Sequence, residues 1–162
     1  MRRQIRQNVF ETNSSSTHSI CIAKNTKLTL PSKLHFSFGE FGWEQNTLNS
    51  IGEKASYLYT GLFANGRHDD IKKVSEILNS NGISSSFEDV IYENGSNYPD
   101  NPGYIDHARE LRKFLDAVCN NEEILLQFLF SPFSFIITGN DNDESNVEIN
   151  VSYKHDEFYK GA

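Results

Sequence analysis

The chain has 162 residues, a formal net charge of −7 and 12% aromatic residues. So many aromatic residues argue against a disordered chain, and the length suits a single domain spanning 1–162 with its own core. The negative charge argues against a direct nucleic-acid binder, because affinity for phosphates comes mainly from lysine and arginine. An acidic surface suits a basic partner, or simply keeps the protein in solution.

The first half of the chain predicts strands followed by two helices. Residues 17–23 alternate polar and apolar side chains, as half-buried strands do. Further on, apolar residues recur every three or four positions, as they do in helices with one buried face. The predicted strands cover 17–23, 27–30 and 34–38, and the predicted helices cover 51–62 and 71–78.

The second half predicts a short strand at 85–92 and then a long surface loop at 93–103, where Gly, Pro, Asn and Asp gather. One helix is expected to begin near Tyr104. Another is expected after Asn120 or Asn121, either of which could cap it.

The C-terminal segments 133–138 and 147–153 predict two strands joined by a polar turn, most simply a hairpin. Strands at both ends, with about four helices between them, predict an α+β fold. In that fold an antiparallel sheet of N-terminal strands and the C-terminal hairpin packs against the helices.

Cysteine usage favours a cytoplasmic protein. Cys21 and Cys119 lie in apolar settings without metal-ligand spacing, which favours buried free thiols in a reducing compartment. The arginines at 2, 3 and 6 are not followed by an apolar stretch, so no signal peptide is expected. No apolar run approaches membrane-spanning length, so no membrane contact is expected.

The segment ETNSSSTHS (11–19) places hydroxyls, an amide, a carboxylate and an imidazole directly before a predicted core strand. His18 should share a strand face with Ile20 and Ile22, so its ring would point inward and need hydrogen-bond partners. Neighbouring polar side chains at 11–16 could supply them. The same hydroxyls and backbone N–H groups could hold a phosphate, a hydroxyl beside the histidine could act as a nucleophile, or the side chains could simply cap turns.

The segment GEFGWE (39–44) holds the only tryptophan, Trp43, between Glu40 and Glu44. Flexible glycines beside an aromatic ring suit the edge of a ligand site. The simpler interpretation is a tryptophan that fills the core from a loop.

Two more segments combine carboxylates with other polar groups. Asp106 and His107 open a predicted helix, where the aspartate would cap the helix or the pair would support acid–base or metal chemistry. The stretch 138–145 is like the start of a calcium loop at Asp141 and Asp143. It lacks the required glycine and distal glutamate, which favours a solvated turn.

Five segments together resemble an uncharacterised family of small proteins from phages and mobile elements of Firmicutes. They are NVFETNSSSTHS (8–19), GEFGWE (39–44), KASYLYT (54–60), YIDH (104–107) and FLFSPFSFIITGNDN (128–142). The resemblance implies no activity, but it implies that the polar clusters occur together and form one site. The candidate catalytic residues are His18, Glu44, Asp106 and His107. The candidate ligand-binding residues are Glu11, Thr12, Asn13, Ser14, Ser15, Ser16, Glu40, Trp43, Asn140 and Asp141. No metal ligands are assigned.

Three functional classes follow from these features and from the resemblance. The first is a phage-type accessory protein in the cytoplasm of the bacterial host cell, serving counter-defence (anti-CRISPR-like) or host takeover. It would bind a host or defence protein, such as one with a basic groove, through its acidic surface.

The alternatives are an enzyme and a nucleotide-binding module. The enzyme would be a metal-assisted hydrolase with Glu44 as base, or a nucleotide-dependent transferase such as an ADP-ribosyltransferase. The module would hold a nucleotide phosphate with the serine segment and stack the base on Trp43. The sequence names no cofactor and leaves the choice between an enzyme and a binding protein open.

Overall fold

A computed structural model describes residues 16–42, 44–93, 95–100, 102–140 and 155–161, and it combines strands with helices. The strands in these ranges are β1 (Ser16–Ala23), β2 (Lys33–Phe36), β3 (Glu40–Phe41), β4 (Asn46–Leu48), β5 (Ser84–Phe87), β6 (Tyr104–Ile105), β7 (Phe135–Asn140) and β8 (His155–Gly161). The helices are α1 (Ile51–Ala64), α2 (His68–Ser80), α3 (Arg112–Asn120) and α4 (Glu122–Phe130), and a 3₁₀ helix spans Ala108–Leu111.

A four-stranded antiparallel sheet joins the two ends of the chain. Its strand order is β4-β7-β1-β8, and His18 of β1 lies opposite Thr138 of β7. Strand β1 is buried on both faces, because Ile20, Cys21 and Ile22 are each at most 1% exposed. A polar side chain carried by this strand must therefore find its partners inside the protein.

Helix α1 runs through the core. Its first turn is closed by a capping box, in which Ser50 Oγ accepts from Glu53 N at 3.1 Å and Glu53 Oε1 accepts from Ser50 N at 3.2 Å. Every residue from 54 to 62 is buried. Tyr57 packs edge-on against Phe41, with ring centroids 5.3 Å apart. The helix therefore contacts other elements all around its surface.

The predicted α+β class and the four helices are confirmed, and the antiparallel sheet does combine N-terminal strands with a C-terminal strand. The predicted cap of α4 is Asn121, whose Oδ1 accepts from Ile124 N at 3.1 Å. Cys21 and Cys119 are buried and unbridged, as expected. None of the described helices is long and apolar enough to cross a membrane. The second strand of the predicted hairpin, 147–153, lies outside the described residues.

Three local expectations differ from the structure. Residues 27–30 form no strand, and Leu30 is 39% exposed. The strand expected at 85–92 is only Ser84–Phe87, which pairs in parallel with β2. Tyr104 begins a two-residue strand instead of a helix, because its N–H donates to the carbonyl of Gly39 at 2.8 Å, outside any helix.

Lys54 is buried in the core, at 1% exposed. Its Nζ donates to the carbonyl oxygens of Ser131, at 2.8 Å, and Ser134, at 3.0 Å, and so ties α1 to the turn between α4 and β7. Burial lowers the pKa of Lys54 to about 8, because the charged ammonium loses water that two carbonyls replace only in part.

Two glycines let the segments before β3 and β6 approach each other. Gly103 has φ +70°, and a Cβ there would overlap the carbonyl oxygen of Gly39 and lie 3.2 Å from Phe38 Cβ. Only a residue without a side chain allows both the left-handed backbone and this contact.

Gly103→Ala should therefore lower the free energy of unfolding by about 3 kcal/mol, from left-handed strain of roughly 1–2 kcal/mol plus an overlap of similar size. Gly82→Ala is the matched control, since Gly82 has φ +75° but a Cβ added there would meet no atom within 4 Å. We expect it to cost only about 1–2 kcal/mol. Urea unfolding of both variants gives the comparison, and equal losses would contradict the overlap.

Lys54→Met tests the buried ammonium. Between pH 7 and pH 9 the folded protein gives up the Lys54 proton near pH 8, whereas the unfolded chain keeps it to about pH 10.5. Because the unfolded chain binds more protons in this window, wild-type stability should rise by about 1 kcal/mol relative to the methionine variant. Urea unfolding at pH 7, 8 and 9 measures the difference, with exposed Lys72→Met as control. Parallel pH profiles for wild type and Lys54→Met would refute the assignment.

Candidate functional site

A two-stranded parallel ribbon carries part of the predicted site. In this ribbon Glu40 of β3 lies opposite Tyr104 of β6, and Phe41 lies opposite Ile105. Strand alternation turns Ile105 inward, at 5% exposed, and leaves Glu40 and Tyr104 exposed on the other face. The ribbon therefore presents a carboxylate and an aromatic ring side by side to solvent.

The turn after β6 and the 3₁₀ helix that follows it add three polar side chains, and we call Tyr104, Asp106, His107 and Glu110 the 104–110 cluster. Tyr104 Oη donates to Asp106 Oδ1 at 3.0 Å, and this hydrogen bond raises the pKa of the tyrosine. His107 Nδ1 lies 3.5 Å from Glu110 Oε1, and its Nε2 lies 3.8 Å from Asp106 Oδ2. The imidazole thus lies between two carboxylates.

His107 has a left-handed backbone, with φ 53° and ψ 38°. This region is uncommon for residues other than glycine, and such strain persists only where the surroundings hold it. Two backbone bonds hold the turn here. Asp106 N donates to the carbonyl of Phe41 at 3.1 Å, and Glu110 N donates to the carbonyl of His107 at 3.0 Å.

His18 lies beneath this turn and is fully enclosed, at 0% exposed. Its Nδ1 is 2.9 Å from the hydroxyl of Tyr57, and the ring also makes a hydrogen bond to the backbone of Asp106. Burial lowers the pKa of His18, and the bond to Asp106 opposes that effect in part. The two bonds suit a neutral imidazole that accepts from Tyr57 and donates toward Asp106.

This arrangement makes His18 an anchor that joins β1, α1 and the turn after β6. Its inward orientation is as the sequence predicted, but the described partners come from residues 57 and 106 of the chain. His18 has no surface exposed to solvent or to a substrate among the described residues. Its catalytic role stays a prediction.

Glu44 lies at the end of the four-stranded sheet that carries His18. Its carbonyl accepts from Thr138 Oγ1 at 3.0 Å, and Thr138 is the residue opposite His18 in the sheet. The Glu44 side chain itself is exposed. Asn140 pairs with Ser16 at the end of β7 and β1, so these two positions also lie at this end of the sheet.

The structure therefore brings His18, Glu40, Asp106 and His107 to one region, with the backbone of Glu44 linked to it through Thr138. Several other candidate residues lie outside the described residues, and their ligand-binding roles stay predictions: Glu11, Thr12, Asn13, Ser14, Ser15, Trp43 and Asp141. Tyr104 and Glu110 join the site without having been among the candidates from the sequence. The polar side chains of Tyr104 and Asp106 on either side of apolar Ile105 are a signal for a strand. The helical spacing of apolar residues from Leu111 onward instead favours a helix that begins near Tyr104.

A closed loop extends the site on its exposed side. Phe38 N donates to Glu88 Oε1 at 3.1 Å, and the next residue, Gly39, accepts from Tyr104 N at 2.8 Å. The two ends of the loop 88–104 are therefore fixed to the neighbouring residues Phe38 and Gly39. Inside the loop, Asp100 N donates to the carbonyl of Ile91 at 2.8 Å.

Large apolar side chains project from this loop into solvent, and we call them the tyrosine surface. Its members and their exposed fractions are Ile91 at 53%, Tyr92 at 55%, Tyr98 at 80% and Tyr104 at 56%. The segment itself is acidic, because the sequence contains no lysine or arginine between Lys73 and Arg109.

The described ranges contain no group of three His, Cys, Asp or Glu side chains that could hold a metal ion. A groove of about 280 Å³ lies elsewhere, between β1 and α4, and none of the candidate site residues lines it. The open face of the 104–110 cluster suits contact with a larger group, and its carboxylates favour a cationic one.

The chain has no significant match among protein-family models, among curated proteins or among solved structures.

The buried imidazole predicts acid sensitivity. Since the pKa of His18 is lower in the folded protein than its usual value of 6.5, the unfolded chain takes up a proton first as the pH falls. The free energy of unfolding should therefore fall below pH 6.5, by up to about 1.4 kcal/mol per pH unit. Urea unfolding between pH 7.5 and pH 5 measures this fall. This pH range lies above the usual pKa values of carboxylates.

His18→Gln keeps an acceptor and a donor without titrating, so the fall should vanish in that variant even if its stability at pH 7.5 is lower. His68→Gln, at an exposed position on α2, should keep it. A pH dependence unchanged in His18→Gln would show that another group causes the effect.

Proposed function

We propose that this protein is a small phage-type accessory protein that binds a positively charged surface of a host or defence protein in the bacterial cytoplasm. Counter-defence or host takeover is the role that the resemblance in the sequence suggests. The observation that carries the proposal is the tyrosine surface, which lies on a loop closed at both ends and rich in carboxylates.

Exposed tyrosines on a fixed loop are typical of protein–protein interfaces. A tyrosine gives a large contact area with only two side-chain torsions to restrict, and it is enriched among the residues that dominate binding energy. Tyr98 is 80% exposed, so its ring contributes little to the core. Burial of these rings by a partner would recover the apolar contact area that folding leaves unused.

Charge defines the kind of partner. Across residues 74–108 the chain carries no lysine or arginine, while acidic residues stand at Glu76, Glu88, Asp89, Glu93, Asp100 and Asp106. An acidic segment of this kind repels phosphates and attracts clustered lysine and arginine, and attraction of this kind raises association rates. A basic protein surface of the kind that binds nucleic acid fits this description.

An enzyme is the second candidate, and the strained His107 between two carboxylates favours it. Such a group could transfer protons at the protein surface. Ser14 and Ser15 of the serine segment lie outside the described residues. The enzyme candidate therefore rests on the 104–110 cluster.

The proposal predicts loss of binding when the tyrosine surface is removed. Tagged wild type captures a partner from host lysate, and the purified partner is then titrated against Tyr92→Ser/Tyr98→Ser. We expect at least a tenfold weaker Kd, because two exposed aromatic contacts are each worth about 1 kcal/mol or more. The wild-type Kd should also weaken between 50 mM and 300 mM salt.

The control is Leu30→Ser/Phe133→Ser, which removes exposed apolar side chains elsewhere, at 39% and 46% exposed. It should bind within twofold of wild type. Equal loss of affinity in both double variants, or a Kd that does not change with salt, would contradict the proposal.

A thermal-shift screen against nucleotides, NAD and divalent metals distinguishes the enzyme candidate from the binding protein by its melting temperature. A shift in wild type that is lost in His107→Ala would favour the enzyme.

A further inference from the structure

We propose that the outward face of the β3–β6 ribbon is a clamp for an arginine side chain of the partner, with the Tyr104 ring as platform and Glu40 and Asp106 as its carboxylates. This inference rests on the proposed function and names the chemistry that the partner presents at this site.

The geometry of the ribbon places the three groups on one face. Glu40 and Tyr104 are register partners in adjacent strands, so their side chains project together. Asp106 lies two residues after Tyr104 and returns to the same side, where its Oδ1 accepts from the tyrosine hydroxyl at 3.0 Å. The exposed Tyr104 therefore has Glu40 beside it on the neighbouring strand and is hydrogen-bonded to Asp106, whose side chain is 19% exposed.

The platform is fixed before any partner arrives. The hydroxyl bond to Asp106 restricts the Tyr104 side chain, and the backbone of Asp106 is held by its bond to the carbonyl of Phe41 and by buried His18. The approach of Gly103 to Gly39 fixes the strand itself. A surface ordered in advance loses less side-chain entropy on binding, which leaves more of the contact energy for affinity.

Charge complementarity identifies the occupant as a cation. Among the residues that the structure describes, Glu40 makes no hydrogen bond or ion pair and its side chain is exposed. No ion pair with a basic side chain in this part of the chain therefore neutralises its carboxylate. A phosphate or a carboxylate would be repelled, and the same described residues offer no set of ligands for a metal ion.

The aromatic platform favours arginine over lysine. A planar guanidinium stacks on a tyrosine ring while its edge N–H groups reach carboxylates beside the ring. A lysine ammonium pairs with the same carboxylates as a point charge, but it offers no flat face to the ring. The clamp should therefore discriminate between two cations of equal charge, which a merely acidic surface does not do.

The test compares fluorescein-labelled octa-arginine with octa-lysine, which carry equal charge, by fluorescence anisotropy with the full-length protein at 50 mM salt. We expect wild type to bind octa-arginine at least fivefold more tightly. Tyr104→Leu should remove that preference, and Tyr104→Phe, which keeps the ring, should retain most of it. Phe133→Leu, which removes an exposed aromatic ring outside both the ribbon and the tyrosine surface, should leave the ratio unchanged.

Equal affinity for both peptides, binding of neither, or a preference that survives Tyr104→Leu would overturn the clamp. Titration of the captured partner distinguishes this failure from failure of the proposed function. If the partner still depends on Tyr92 and Tyr98 but binds Tyr104→Leu as wild type, the docking surface stands without the clamp. If the partner ignores all three tyrosines, the proposed function itself is wrong.

Discussion

A neutral imidazole enclosed in the core connects the parts of this protein that form the candidate site. His18 has no exposed surface, so each of its ring nitrogens needs a partner within the protein. Tyr57 supplies one from the middle of α1, and the backbone of Asp106 supplies the other from the turn after β6. Because an unsatisfied buried polar group costs about 1–3 kcal/mol, the three segments are held together by this ring.

The same turn faces two environments. The backbone of Asp106 bonds to buried His18, while its carboxylate, on a side chain 19% exposed, accepts from the hydroxyl of exposed Tyr104. The buried contact of the Asp106 backbone with His18 therefore also fixes the position of the Asp106 carboxylate beside Tyr104. The left-handed conformation of His107 follows directly after this anchored residue, which is where surrounding contacts can hold a strained backbone.

The parts of this arrangement that depend on local patterns are predictable from the sequence. Alternation in β1 turns His18 inward, and helical spacing locates α1 to α4, because both patterns repeat over several residues. The two-residue strands β3 and β6 have no such repeat. Their pairing joins residues 40 and 104, and it depends on the contact of Gly39 with Gly103. A contact so distant along the chain leaves no local signal, so the sequence predicts a helix at Tyr104 and does not reveal its exposed face.

Tyrosines serve two separate purposes in this fold. Tyr57 and Tyr59 are at most 4% exposed, and each hydroxyl has a partner, at His18 and at the carbonyl of Glu88. Their rings contribute to the core, so changes there would alter stability. The tyrosine surface is different. Tyr98 at 80% exposed makes little contact with the core, and the loop that carries it is closed by backbone and carboxylate bonds rather than by its rings. Stability and surface chemistry are therefore carried by different side chains, which allows the exposed face to be altered without loss of the fold beneath it.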